Sequence, residues 1–91
     1  MNIQTKIKRF TDGSKATKAF ADVVIDNKLK IRNVRILETE KGRFLDMPFF
    51  VRKDDDTGEK KRFSVVFPIS EDARAELEDA VFAAYDAAKM N

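Results

Sequence analysis

The chain contains no cysteine and no histidine. Without cysteine, disulfides and thiolate-rich zinc sites are excluded. Without histidine, zinc catalysis, imidazole acid–base chemistry and Ser-His triads lose their usual residues. The common hydrolase designs are therefore unavailable, and no nucleophile–base pair stands in for them. Gly-rich phosphate loops, Walker patterns and nucleophile elbows are also missing. The sequence reads as a non-enzyme without cofactor, metal or small-molecule substrate. No apolar run approaches the roughly 18 residues of a membrane span. Met1–Phe10 alternates polar and apolar residues where a signal peptide would need an apolar region. The expected compartment is the cytoplasm, with no membrane association.

What is present is charge, unevenly placed. The chain has 91 residues and a net charge of +2. Residues 1–69 carry 16 basic and 10 acidic side chains, whereas residues 70–91 carry 2 basic and 6 acidic ones. A basic body with an acidic tail can attract a polyanion to one face only. The competing reading is a solvated surface with both signs interspersed. The length predicts one domain over residues 1–91. Such a chain buries only about 60–65% of its unfolded surface, so association of copies is a common remedy for a thin core.

Hydrophobic periodicity predicts strands through most of the chain. Ile3, Thr5 and Ile7 alternate with Gln4, Lys6 and Lys8, the period of a half-buried strand. After a turn at Thr11–Ser14, Ala19–Ile25 places Ala19, Ala21, Val23 and Ile25 on one face and Phe20 and Val24 on the other. Asp26-Asn27 predicts a tight turn, since Asn tolerates positive φ. Leu29–Leu37, Arg43–Val51 and Arg62–Phe67 read as the third, fourth and fifth strands. Ser70 then suits a helix N-cap, with Glu71 and Asp72 at the positive end of the dipole. Ala73, Leu77, Ala80, Val81, Ala84 and Ala88 fall on one narrow helical face. The expected fold is α+β: an antiparallel sheet of about five strands followed by one C-terminal helix. One helix covers one sheet face, so apolar residues on the other face predict a homodimer.

Two basic clusters, Arg52-Lys53 and Lys60-Lys61-Arg62, flank the acidic stretch Asp54-Asp55-Asp56. If that stretch closes a hairpin, five cations gather near its neck, where they can contact phosphates. A two-stranded ribbon also fits the major groove. The competing reading is a charged hairpin that guards an edge from aggregation. Asp54, Asp56 and Gly58 echo a calcium loop, but its twelfth position falls on Val65 or Phe67, not on a bidentate Glu. Arg74 stands in the first helical turn, where the dipole disfavours a cation. It needs either Glu78 at i+4 or an external anion. Phe49 and Phe50 suit base stacking, or else core and dimer contacts.

One ordered set of residues goes further. Val34-Arg35-Ile36-Leu37, Gly42, Phe44, Met47-Pro48, Pro68-Ile69, Arg74, Leu77, Ala80-Val81 and Tyr85 resemble the SpoVG family (stage V sporulation protein G, a septation regulator) over nearly the whole chain. The resemblance implies a homodimeric, site-specific nucleic-acid-binding regulator of gene expression and cell division, with no enzymatic activity. DNA and RNA both stand open as its target. It also implies that the basic hairpin and the helix start make the contacts: Arg52, Lys53, Lys60, Lys61 and Arg62, supported by Arg74. This chain departs from the family pattern at Phe67, where histidine is usual, and at Phe49, where a small polar residue is usual. Its hairpin is longer and carries Asp54–Asp56. The alternative reading is a protein-interaction module of the division or sporulation machinery, docking a basic partner on the acidic tip or on Glu76, Asp79 and Asp86.

Overall fold

A computed structural model describes residues 1–90. The described elements are β1 (Ile3–Phe10), β2 (Thr17–Ile25), β3 (Leu29–Thr39), β4 (Gly42–Asp46), β5 (Phe49–Lys53), β6 (Lys60–Ser64) and α1 (Glu71–Lys89). β1 to β4 form an antiparallel meander in sequence order, and β5 pairs with β6 in a separate two-stranded sheet. The expected α+β class and the C-terminal helix are present. The expected single sheet of about five strands is corrected to two sheets of four and two.

The cause of that correction is Met47-Pro48. Proline has no N–H to give a ladder, so the run read as one strand from Arg43 to Val51 stops at Asp46 and restarts at Phe49. The Pro48 carbonyl accepts from Val65 N at 2.9 Å, which ties off the base of the second sheet. The fifth expected strand, Arg62–Phe67, shifts to Lys60–Ser64. Charged residues that looked like loop instead pair in register, Arg52 with Lys61 and Lys53 with Lys60.

Local chemistry sets the turns. Asp26 and Asn27 both have φ of 54°, and Lys28 N donates to Ile25 O at 3.0 Å, as a hairpin turn of the I′ kind requires. Asn33, with φ of 62°, marks a bulge in β3. Ala21 pairs with Val34, but Val23 pairs with Ile31, so one extra β3 residue sits opposite Asp22. In a regular strand Ile31 and Val34, three residues apart, would point to opposite faces. With the bulge both are buried beside Ala19, Ala21, Val23 and Ile36.

The helix lies over this face. Ser70 Oγ accepts from Ala73 N at 3.1 Å, as expected of the cap. Leu77, Val81 and Tyr85 complete the core, with Phe82 packed beside them. The predicted small-residue face is the buried one, and Tyr85 extends it. Burial pushes the Tyr85 phenol above its ordinary value, and nearby Glu38 adds to the shift. The β5–β6 hairpin stands apart from this core. Every β6 residue is exposed, as are the β5 residues Phe50 to Lys53. The radius of gyration is 14.5 Å, against about 12 Å for a compact chain of this length. No helix among the described residues is long and apolar enough to cross a membrane.

Candidate nucleic-acid interface

The hairpin register decides which cations act together. Cross-strand pairs alternate faces along a ribbon. Val51/Arg62 and Lys53/Lys60 share one face with Phe49/Ser64, whereas Arg52/Lys61 shares the other with Phe50/Phe63. Phe50 and Phe63 stack at 5.5 Å between centroids, bracing the second face. The five cations expected at one neck are thus divided three and two.

They also differ in freedom. Lys61 Nζ lies 3.2 Å from Asp54 Oδ2. Arg62 turns back to the body, where it pairs with Asp46 and lies 3.7 Å from the Phe49 ring centroid. Among the described residues, Arg52, Lys53 and Lys60 have no carboxylate partner. The acidic tip is a turn-former: Asp54 Oδ1 accepts from Asp56 N at 2.8 Å and Thr57 N at 3.4 Å. Those bonds and Lys61 hold the Asp54 carboxyl below its ordinary range. No group of acidic residues placed to hold a metal ion occurs among the described residues.

Arg74 is exposed and makes no ion pair with Glu78 among the described residues, contrary to the nearer of the two partners expected for it. It lines a concavity of about 280 Å³ together with Phe44, Asp46, Ser64, Phe67 and Glu78. The helix start and the hairpin base therefore share one groove. An unpaired guanidinium on its wall suits an external anion.

The sheet face opposite the helix carries a feature the sequence reading did not name. Arg9 pairs with Phe20, Phe20 with Arg35, and Arg35 with Asp46, so one lateral row crosses all four strands. The Arg9 guanidinium carbon lies 4.0 Å from the Phe20 centroid, and that of Arg35 lies 5.3 Å from the Phe49 centroid. Asp46 bridges Arg35 and Arg62. Arg9, Phe20, Asn33, Arg35, Pro48 and Phe49 line an open concavity of about 460 Å³.

Comparison with known proteins places the chain in a family. The family model described as SpoVG matches residues 1–87. The chain belongs to the SpoVG family. A protein of Archaeoglobus fulgidus named as septation protein SpoVG is 36% identical over 74 residues, covering 80% of each chain. One of Borreliella burgdorferi with the same name is 35% identical over 80 residues, covering 88% of this chain and 76% of its own. A third, from Bdellovibrio bacteriovorus, is 28% identical over 82 residues, covering 90% and 71%.

In this SpoVG-family chain the structure groups the six expected contact residues unevenly. Arg52, Lys53, Lys60 and Lys61 lie on the exposed ribbon, on both its faces. Arg62 belongs to the hairpin base and the sheet-face row. Arg74 lies across the groove at that base. Arg9, Phe20 and Arg35 escaped the sequence reading because their contacts run between strands. The one available signal was Phe20 and Arg35 falling on the non-core phase of their strands, which is ambiguous until register is known.

Proposed function

We propose that this chain is a site-specific nucleic-acid-binding regulator of gene expression and cell division, acting on DNA or RNA as a homodimer without catalytic activity. The observation that carries the reading is the β5–β6 ribbon. It stands clear of the core and presents Arg52, Lys53 and Lys60, which have no carboxylate partner among the described residues. A two-stranded ribbon fits a major groove about 12 Å wide, and unpaired cations on it neutralise phosphates. Arg74, across the groove at the ribbon base, adds a further phosphate contact.

The homodimer finds its support in the hairpin and the linker after it. Phe50 and Phe63 are half-exposed, and Phe67 and Ile69 are 59% and 90% exposed. Exposed large apolar side chains of this kind mark association sites. A second copy seated on the linker end of that surface, at Phe67 and Ile69, would leave the ribbon cations open and relate two ribbons by a two-fold axis, suited to paired half-sites.

Fluorescence anisotropy of Lys60→Ala/Lys61→Ala against labelled duplex tests the reading. Each lost phosphate contact changes the log–log salt slope by roughly 0.9. Lys61 is already held by Asp54, so the expected flattening lies between about 0.9 and 1.8 per protomer. An unchanged slope removes the ribbon from the interface. Absence of binding to duplex and single strands at low salt would favour the other function, docking of a basic protein partner on the acidic tip Asp54–Asp56 or on Glu76, Asp79 and Asp86.

A further inference from the structure

We infer that the sheet face opposite the helix binds single-stranded nucleic acid, with an unpaired base seated between Phe20 and Phe49. The inference rests on the nucleic-acid reading above and assigns its single-strand contacts to the sheet face and the hairpin base, apart from the ribbon cations Arg52, Lys53, Lys60 and Lys61.

Three observations converge on that occupant. The first is shape. Phe20 and Phe49 face one open concavity of about 460 Å³, the scale of a small-ligand site. The second is stacking chemistry. Guanidiniums lie over both rings, Arg9 on Phe20 and Arg62 with Arg35 on Phe49. A guanidinium flat on a ring is held in place and still offers a planar outer face and edge N–H donors. Bases stack on aromatic rings and on guanidinium planes alike, and a base in a duplex presents neither face. The third is charge. Register puts Lys6, Arg9, Lys30 and Arg35 on this face, and Arg62 joins them from the hairpin, against Asp22 and Asp46.

That excess of cations argues against a second copy as occupant, because two such faces would repel each other. Asp46 shows what the Arg35–Arg62 pair accepts: a carboxylate already bridges the two guanidiniums. A backbone phosphate presents similar oxygens, and the guanidinium N–H donors that Asp46 does not use can take it as the strand lies across the row.

The test uses the full chain and a short oligothymidine carrying one 2-aminopurine, beside a fluorescein-labelled duplex of the same length. Wild type is expected to bind the single strand and quench the 2-aminopurine. Phe20→Leu keeps an apolar side chain but removes the ring. It is expected to weaken single-strand binding about tenfold and abolish the quench, while duplex affinity stays within about twofold. Should Phe20→Leu lose its folded circular dichroism, Arg9→Gln, an exposed position, carries the same expectation at about threefold. Unchanged single-strand affinity and quenching in these variants would overturn the inference while leaving the ribbon reading intact. Conversion of a dimer to a monomer by Phe20→Leu in sedimentation would also overturn it, by giving the face to a second copy. Failure of wild type to bind either probe at low salt would remove the nucleic-acid reading itself, and this inference with it.

Discussion

The β5–β6 hairpin and the β1–β4 sheet are built from similar residues and held by different forces. Both contain β-branched and aromatic side chains in strand register. In the sheet, Val23, Val34 and Ile36 are wholly buried under α1. In the hairpin, Val51 is 55% exposed, and no described element covers either face. A strand's propensity is thus the same in both places, but only in the sheet does it translate into burial. An isolated two-stranded hairpin is marginal in water. This one has cross-strand pairs, the Phe50–Phe63 stack, and its anchorage at the base. The body supplies the stability, while the ribbon, outside that core, leaves Arg52, Lys53 and Lys60 without carboxylate partners among the described residues.

A matched pair of truncations would break this comparison most directly. Ile36→Ala removes a fully buried side chain of the core cluster that sheet and helix share. Loss of such a group costs about 2–5 kcal/mol through lost transfer and residual cavity. Phe63→Ala removes a 43% exposed ring whose chief partner is Phe50. Its expected cost is about 1 kcal/mol, the scale of a cross-strand aromatic pair. Urea unfolding of the two variants measures the difference. Equal costs would mean that the hairpin is part of the cooperative core.

Asp46 is the joint between the two regions, since its carboxylate pairs with Arg35 on β3 and Arg62 on β6. Asp46→Ala is expected to release the hairpin base and cost about 1–2 kcal/mol locally, given two charge-assisted bonds to half-exposed guanidiniums. Hydrogen exchange should show about tenfold faster opening of β5 and β6 amides, with β1–β3 protection changed little. Uniform acceleration across both sheets would place Asp46 in the global fold instead.

The same division explains what was legible in the sequence. Periodicity found the faces of β2 and α1, because Ala19, Ala21 and Val23 alternate cleanly and Leu77 and Val81 recur at helical spacing. It found the Ser70 cap and the Asp26-Asn27 turn, whose side chains act locally. It did not find the bulge at Asn33, where one residue resets the phase of β3, and it ran β4 and β5 together across Pro48. The candidate ribbon was visible as two basic clusters. Which cations are free was not, since that depends on Asp54 reaching Lys61 and Asp46 reaching Arg62 across the fold. The Arg9–Phe20–Arg35 row was invisible for the same reason: its members come from three strands.

The smallest expected effect lies at the hairpin tip and sharpens the comparison by pH. Asp54 accepts two backbone N–H bonds and pairs with Lys61, which lowers its pKa below the ordinary 3.8. A carboxylate whose folded pKa is depressed contributes stability above its unfolded pKa and loses it as pH falls through the folded value. Acidification below about pH 3.8 should therefore loosen the Asp56 and Thr57 amides first. NMR exchange of those amides against pH should show a transition that Asp54→Ala abolishes. The tip is exposed, so the body should stay folded through that local transition. If the sheet amides of β2 and β3 opened over the same pH range and with the same Asp54 dependence, the hairpin and the sheet would be one cooperative unit. The separation of exposed ribbon from stabilising body would then fail.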